Sequence, residues 1–445
     1  MIIMTLVQEL KDGRKKVAIW GIGYIGYSTM AHFAREGVYC VGHDVMPHRV
    51  DDVNAGREAI PNMDSWLGFD VRPLVKNGLM SATLNWKDLI SNEFPIHMIS
   101  IPTEKDGKPY DNNLIDVLEK ISTISKIKID RPPLIIIEST LTPNRLNKLI
   151  IPMIEETGVK IGKDILLGVA PRRDWFTDAG KTLKTIPRVV GGSTPETTEL
   201  MIDVLSIICD KLIRAKDHNH AEIVKSIENA YRHMDIALAN QLSEAYPHLD
   251  MIEILKLVGT KWNVQTYHPS MGTGGYCIPL APQYVLEGAK HPDKLTLLKE
   301  SLNYDLQQPQ RVVDCLINKG VKKVGILGIT YTGDIKVHIL SPSLKIIDGL
   351  KKAGVDVSVN DPYYTDEEAE KVTGCETFKM LDDLDKFDAI VIVSGHIVYK
   401  FNKHKIKEKL KNCKIILDNV GIWNDVQFQG PEYYEAGNCG WLGHR

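Results

Sequence analysis

Residues 15–44 constrain the fold of this 445-residue chain more than any other stretch. Lys15-Lys-Val-Ala-Ile-Trp20 is a short apolar run that stops at glycine, and Gly21-Ile-Gly23-Tyr-Ile-Gly26 follows it. A helical pattern then continues to about Arg35, Gly37 ends it, and Val38 to Asp44 reads as the next strand. Strand, glycine turn, helix, strand and acid in that order are the setting in which G-x-G-x-x-G binds a dinucleotide. The glycines permit a tight turn, close approach of a pyrophosphate and close helix–strand packing, while the helix N-terminus offers free N–H groups to the phosphates. Gly21, Gly23, Tyr24, Ile25 and Gly26 are thus the candidate cofactor contacts. Asp44 is placed to accept the ribose hydroxyls of an adenosine. Its charge repels a 2′-phosphate and favours NAD over NADP, although His48 and Arg49 close by weigh the other way. The alternative, a plain glycine turn that binds nothing, does not explain the acid.

Strand–helix alternation continues through Ile96–Ile101 (strand), Asn112–Ile124 (helix), Leu134–Glu138 (strand), Leu141–Glu156 (helix), and strands at Ile165–Ala170 and Arg188–Gly191. This pattern predicts a mostly parallel sheet covered by helices. Thr103 and Thr140 follow two of these strands, where loops would touch a cofactor; taken singly, each reads as a turn or cap residue. From His220 to Tyr246 the chain lacks Gly and Pro, and Ile223, Ile227, Ala230, Met234, Ala237 and Leu238 recur at helical spacing. A second α/β unit opens at Lys322, with strands expected at Val324–Thr330, Val355–Asn360 and Ala389–Val393, whereas Gln427–Arg445 has no clear period. The expected fold is α/β: two Rossmann-like doubly wound domains (residues 1–205 and 319–445) joined by a central helical domain (206–318) with one long helix.

The apolar fraction of 43 % allows a full core, and a net charge of −3 without a long basic block weighs against a nucleic-acid surface. Seven scattered cysteines without a C-x-x-C pair argue against a disulfide framework or a structural zinc site and fit a reducing compartment. The first sixteen residues do not read as a signal peptide, and no apolar run approaches the roughly 20 residues that span a bilayer. A cytoplasmic protein with no metal, nucleic-acid or membrane partner is expected. One cysteine stands apart. Cys277 lies in Tyr267-His-Pro-Ser-Met-Gly-Thr-Gly-Gly-Tyr-Cys-Ile-Pro-Leu-Ala-Pro282, a run too glycine-rich for the interior of a helix or strand. It reads as a loop that presents a thiol. The bland alternative is a buried, inert cysteine.

Several stretches together resemble the nucleotide-sugar 6-dehydrogenases, the UDP-glucose/GDP-mannose dehydrogenase family. They are Gly21–Gly26, Ile101-Pro-Thr103, Glu138-Ser-Thr140, Ala221-Glu-Ile-Val-Lys-Ser-Ile-Glu-Asn229, Gly272–Pro282, Asn360-Asp-Pro362 and Ser394-Gly-His396. The Gly-Gly-Tyr-Cys-Ile-Pro form of the cysteine loop is most similar to the UDP-N-acetylhexosamine branch. The resemblance implies an NAD domain, a central helix that also forms a homodimer interface, and a nucleotide-binding third domain. It implies oxidation of a primary alcohol of a nucleotide sugar to a carboxylate with two NAD, through a thiohemiacetal and a thioester on Cys277. Lys225 and Asn229, four apart on one helix face, stabilise the anionic oxygen and position water in this scheme. Thr140 joins the catalytic set, and Gly272, Gly274 and Gly275 join Lys225 as substrate contacts. Without the resemblance, Lys225 reads as a solvated helix lysine.

The chain departs from the family in four places. Pro171-Arg172-Arg173 stands where the family has Pro-Glu-Arg, and Ala281 where it has an Asp that activates water. Thr332 and Ile339 stand where a Lys and an Arg reach the substrate. Asp174 and His268 are spare acid–base candidates, each equally readable as a structural residue, and Arg172 and Arg173 are candidate phosphate contacts because a guanidinium matches phosphate bidentately. Three outcomes stay open on these residues: full oxidation to the acid, an altered outcome stopping at an aldehyde or a stalled acyl-enzyme, and a non-catalytic binding protein.

Overall fold

The computed structural model describes residues 5–60, 63–173 and 180–443. The chain forms two compact units: Met1–Glu228 with Gln283–Lys290, and Asn229–Pro282 with His291–Arg445.

The first unit is built on an eight-stranded sheet. Its strands are β1 (Val17–Trp20), β2 (Cys40–His43), β3 (Met80–Thr83), β4 (Ile96–Ile99), β5 (Leu134–Ile137), β6 (Leu166–Val169), β7 (Arg188–Gly192) and β8 (Leu212–Arg214). The spatial order is β8-β7-β6-β5-β4-β1-β2-β3. All neighbours are parallel except β6 and β7. The parallel strands are apolar on both faces because helices cover both; all four residues of β5, Leu-Ile-Ile-Ile, are buried. Each such side chain contributes about 1.5–3 kcal/mol by burial. The register pairs Trp20 with both His43 and Ile99, so Gly21, Asp44 and Ser100 leave the sheet at one edge. That edge, between β1 and β4, is where the strand order reverses, the position at which open α/β sheets bind ligands.

The second unit holds a five-stranded parallel sheet in the order β10-β9-β11-β12-β13: β9 (Lys323–Leu327), β10 (Asp356–Asn360), β11 (Ala389–Ile392), β12 (Ile415–Asp418) and β13 (Glu432–Glu435). Its order also reverses once, between β9 and β11. The helices of the middle of the chain are His218–Ala245, Met251–Val258, Ala281–Gly288 and Thr296–Asn318.

The α/β reading with parallel sheets and a long central helix holds. The tail that has no period in sequence supplies edge strand β13, anchored by the Tyr433 hydroxyl donating to Asp418 at 2.9 Å. The helix expected over Leu141–Glu156 begins only at Leu146, with a π-helical turn (Leu146–Ile150) before Ile151–Glu156. Two side chains of the long helix compete for the preceding backbone: Ser226 donates to the Leu141 carbonyl at 3.3 Å and Glu222 accepts from the Leu146 N–H at 3.2 Å.

Candidate active site

The cofactor half is assembled within the first unit. Gly21 has φ +90°, and a Cβ there would lie 2.6 Å from the Ser100 carbonyl oxygen. A Cβ on Gly26 would lie 1.8 Å from the Gly21 carbonyl oxygen. Gly23 differs: its Cβ would meet nothing within 4 Å. Two glycines are therefore required by the protein's own packing, and the middle one keeps a space clear in front of the helix Tyr24–Arg35. That helix starts at Gly23 with no side-chain cap on its first N–H groups. Clear space and the positive end of a helix fit a dinucleotide pyrophosphate.

Asp44 is buried. It accepts from the N–H of Ile22 at 2.7 Å and of Met46 at 2.9 Å, and pairs with the Arg49 guanidinium at 3.3 Å. Arg49, one of the two basic residues that weigh against Asp44 in the sequence, is thus paired with it. Thr103 donates to the Thr140 carbonyl at 2.5 Å, so the two cofactor-side threonines brace each other. Tyr284, seven residues beyond Cys277 in the chain, donates to the Thr103 carbonyl at 2.8 Å. Nothing in the sequence singles out Tyr284, because its partner is 181 positions away.

Arg172 is corrected as a phosphate contact. Its side chain is buried against the cofactor helix, donating to the Ser28 hydroxyl at 2.7 Å and the Ile25 carbonyl at 3.2 Å, 3.8 Å from Glu138. Glu138 is buried too, and it accepts from Arg188 at 2.6 Å, from Ser100 at 2.7 Å and from Thr29 at 2.8 Å. Arg173 is engaged by Glu228 at 2.7 Å and by the Pro187 carbonyl at 2.9 Å, which ties the loop after β6 to the long helix. Asp174 lies outside the described residues.

On the long helix Lys225 is half-buried and Asn229 is buried. The Asn229 side-chain oxygen accepts from Arg232 at 3.4 Å. Arg232 also lies 5.9 Å from the centre of the Tyr267 ring, at the start of the cysteine loop.

The cysteine loop belongs to the second unit. All seven cysteines are free; Cys277 is exposed, whereas burial pushes the Cys315 and Cys413 thiols up to about 11. The Cys277 carbonyl accepts from the N–H of Ala281 at 3.0 Å, the first residue of the helix Ala281–Gly288. Cys277 therefore lies at the N-terminal end of that helix. The loop's glycines are explained by protein packing. A Cβ on Gly275 would lie 2.8 Å from the Tyr331 ring, one on Gly274 2.5 Å from the Tyr331 Cβ, and Gly272 faces Pro309 at 3.4 Å with φ +117°. Of the four departures, Ala281 is buried, and Ile339 holds the loop through its backbone, its carbonyl accepting from the Gly275 N–H at 2.9 Å. Thr332 is half-buried. His268 is held below the ordinary imidazole range by partial burial and by the charge of Lys256. Among the described residues no helix is long and apolar enough to cross a membrane, and no group of three or more His, Cys, Asp or Glu residues is arranged to hold a metal.

Comparison with known proteins bears on the same residues. The NAD binding domain of the UDP-glucose/GDP-mannose dehydrogenase family matches residues 15–208, its central domain 219–304 and its UDP binding domain 325–425. The UDP-N-acetyl-D-mannosamine dehydrogenase of Methanocaldococcus jannaschii is 30 % identical over 441 residues, covering 95 % of each chain. Protein CapL of Staphylococcus aureus is 28 % identical over 423 residues, covering 92 % of this chain and 96 % of the other. The structure of a Pyrococcus horikoshii UDP-D-ManNAc dehydrogenase superposes with a TM-score of 0.82 at 24 % identity over 95 % of this chain and 99 % of the other, which shows a shared fold. With the cofactor cradle formed and all three family domains matched in order, the chain belongs to the UDP-glucose/GDP-mannose dehydrogenase family, the NAD-dependent dehydrogenases of nucleotide sugars.

Proposed function

We propose that this protein oxidises the C6 primary alcohol of a UDP-N-acetylhexosamine to the carboxylate through a covalent bond to Cys277. The observation that carries the reading is the exposed Cys277 at the N-terminus of the helix Ala281–Gly288, in a chain whose first domain has a clear pyrophosphate cradle. Relatives named for UDP-N-acetyl-D-mannosamine and, in Pseudomonas aeruginosa, for UDP-N-acetyl-D-glucosamine 6-oxidation support the sugar class.

Gly21, Gly23, Tyr24, Ile25 and Gly26 hold the pyrophosphate, Asp44 the adenosine ribose, and Thr103 and Thr140 the nicotinamide side. Two NAD molecules bound in turn would each accept one hydride, the first from the alcohol and the second from the thiohemiacetal. Lys225 and the Asn229 amide stabilise the C6 oxygen as it becomes anionic, and their i, i+4 spacing aims both at one point. The Cys277 thiolate bonds the aldehyde carbon, and that carbon loses its remaining hydrogen to leave a thioester. Water then replaces the sulfur, which departs as thiolate, and the acid leaves with one water oxygen gained. His268, whose pKa is lowered by partial burial and by Lys256, is the proposed base for that water, because Ala281 has no group to serve. Gly272, Gly274, Gly275 and Arg173 remain proposed substrate-side positions through their backbone and charge.

We assign the homodimer to the long helix. Tyr231 is 67 % and Leu238 52 % exposed on it, apolar area of the kind that a second copy covers.

A second reading, oxidation that stops early, is favoured by one observation: neither Arg172, buried against Glu138, nor Ala281 supplies the acid–base group of the family. A screen of UDP-N-acetylhexosamines and UDP-glucose for NADH production separates the two. Two NADH and one uronic acid per sugar support full oxidation; one NADH and a free aldehyde support the second reading. Equal turnover of sugars without a nucleotide would overturn the substrate assignment.

A further inference from the structure

A nucleophile on an irregular loop reaches its target only if the loop is held, and residues 267–280 have no sheet or helix of their own. Among the ties that hold them within the second unit, four are made through backbone N–H groups of the loop. The Ser270 N–H donates to Asn240 at 2.7 Å, the Met271 N–H to Asn419 at 2.7 Å, and the Gly275 N–H to the Ile339 carbonyl at 2.9 Å. The fourth is of a different kind. Asp305 uses both carboxylate oxygens on one residue, accepting from the Thr273 N–H at 3.0 Å and from its hydroxyl at 2.6 Å. Asp305 is 5 % exposed, so these are charge-assisted bonds shielded from water.

The helix that carries Asp305 is built to receive the loop. Thr296–Asn318 contains Pro309 in its interior. A proline has no N–H to give and its ring crowds the carbonyl four residues back, which here is that of Asp305. The loop enters at this opened turn: a Cβ on Gly272 would lie 3.4 Å from Pro309 and 3.6 Å from the Asp305 carbonyl oxygen. Behind the carboxylate stands His233, fully buried, its Nε2 3.6 Å from Asp305. Its other ring nitrogen is 3.4 Å from the Ser301 hydroxyl.

We infer that Asp305 is a positioning residue for the reaction: by clamping Thr273, four residues before Cys277, it sets where the thiol stands when the aldehyde forms. This rests on the Cys277 reading above. Asp305 touches neither substrate nor cofactor in this role. Its loss slows capture of the aldehyde while leaving cofactor binding, made by the other unit's glycine turn, unchanged.

The experiment compares Asp305→Leu, Asp305→Asn, Thr273→Val and Cys277→Ala in the full-length enzyme, reading kcat, KM for the nucleotide sugar, the NAD dissociation constant and NADH formed per sugar. Asp305→Leu is expected to lower kcat about 10- to 100-fold, the scale of a nucleophile misplaced by about 1 Å, with the NAD constant unchanged. Asp305→Asn keeps one oxygen for the N–H and offers an amide to the hydroxyl, and restores kcat to within about threefold. Thr273→Val, which leaves Asp305 in place, lowers kcat several-fold and serves if the leucine variant does not fold. Wild-type kcat in Thr273→Val and in folded Asp305→Leu would overturn the inference, as would an Asp305→Asn enzyme as slow as the leucine variant. Cys277→Ala separates the two claims. Two NADH per sugar in that variant would remove the covalent reading itself, whereas one NADH there, with wild-type Asp305→Leu, would remove only the positioning role.

Discussion

The glycine turn can be tested by two substitutions that differ by three residues and should fail in opposite ways. At Gly26 an added Cβ lands 1.8 Å from the Gly21 carbonyl oxygen, well inside van der Waals contact, so the helix Tyr24–Arg35 must move off the sheet. Overpacking of this kind costs about 1–3 kcal/mol, and each kcal/mol lowers Tm by roughly 2–4 °C in a domain of 150–250 residues. At Gly23 the backbone, φ −87° and ψ −166°, suits any residue, and an added Cβ meets nothing within 4 Å. Gly23→Ala should therefore change stability by less than about 1 kcal/mol. Its methyl stands where the pyrophosphate must approach, and NAD affinity should fall at least about tenfold, or 1.4 kcal/mol. Thermal unfolding without cofactor and calorimetric titration with NAD read both quantities on each variant. The expected pattern is a lowered Tm for Gly26→Ala and, for Gly23→Ala, a wild-type Tm with weakened NAD. Wild-type NAD affinity in Gly23→Ala, or an equal loss of Tm in both, would refute the assignment of the clear space to the cofactor.

Glu222 gives a pH-dependent prediction. Burial raises its carboxyl to about 7, although backbone N–H groups at Asn144, Arg145 and Leu146 oppose the rise. An acid whose folded pKa lies above its unfolded one binds its proton more tightly in the folded chain. Its stabilising effect is complete below the unfolded value and is lost as pH rises towards 7, by at most roughly 3 kcal/mol. Glu222→Gln should match wild type near pH 4 and exceed its Tm at pH 8; parallel curves would contradict this. The dimer assignment predicts that Tyr231→Glu combined with Leu238→Glu sediments as a monomer with an intact fold, and an unchanged dimer would move the interface elsewhere.

The cofactor half was largely legible in the sequence because its logic is local. Gly21, Gly23, Gly26 and Asp44 lie within one βαβ unit, and their roles follow from spacing along 24 residues. The long helix was legible for the same reason: one uninterrupted period fixes which residues share a face. What sequence left obscure depends on distant partners. Arg172 reads as a free guanidinium beside a proline, yet it is spent on Ser28 and Ile25, some 145 positions upstream. The resemblance makes Gly274 and Gly275 substrate contacts, but it does not show that a side chain at either position would meet Tyr331. Asp305 carries no motif at all; only Pro309 inside its helix marks the turn where the cysteine loop seats. Strand β13 is obscure because an edge strand with one exposed face lacks the apolar run by which β5 declares itself.

The covalent role of Cys277 is tested most directly by mass. Enzyme quenched during turnover of a UDP-N-acetylhexosamine with NAD, then digested and mapped, should carry the sugar nucleotide in thioester linkage on the peptide containing Cys277. Hydroxylamine should release it, and Cys277→Ala should carry none. Steady production of the uronic acid with no adduct at any quench time, and unchanged in Cys277→Ala, would contradict the account.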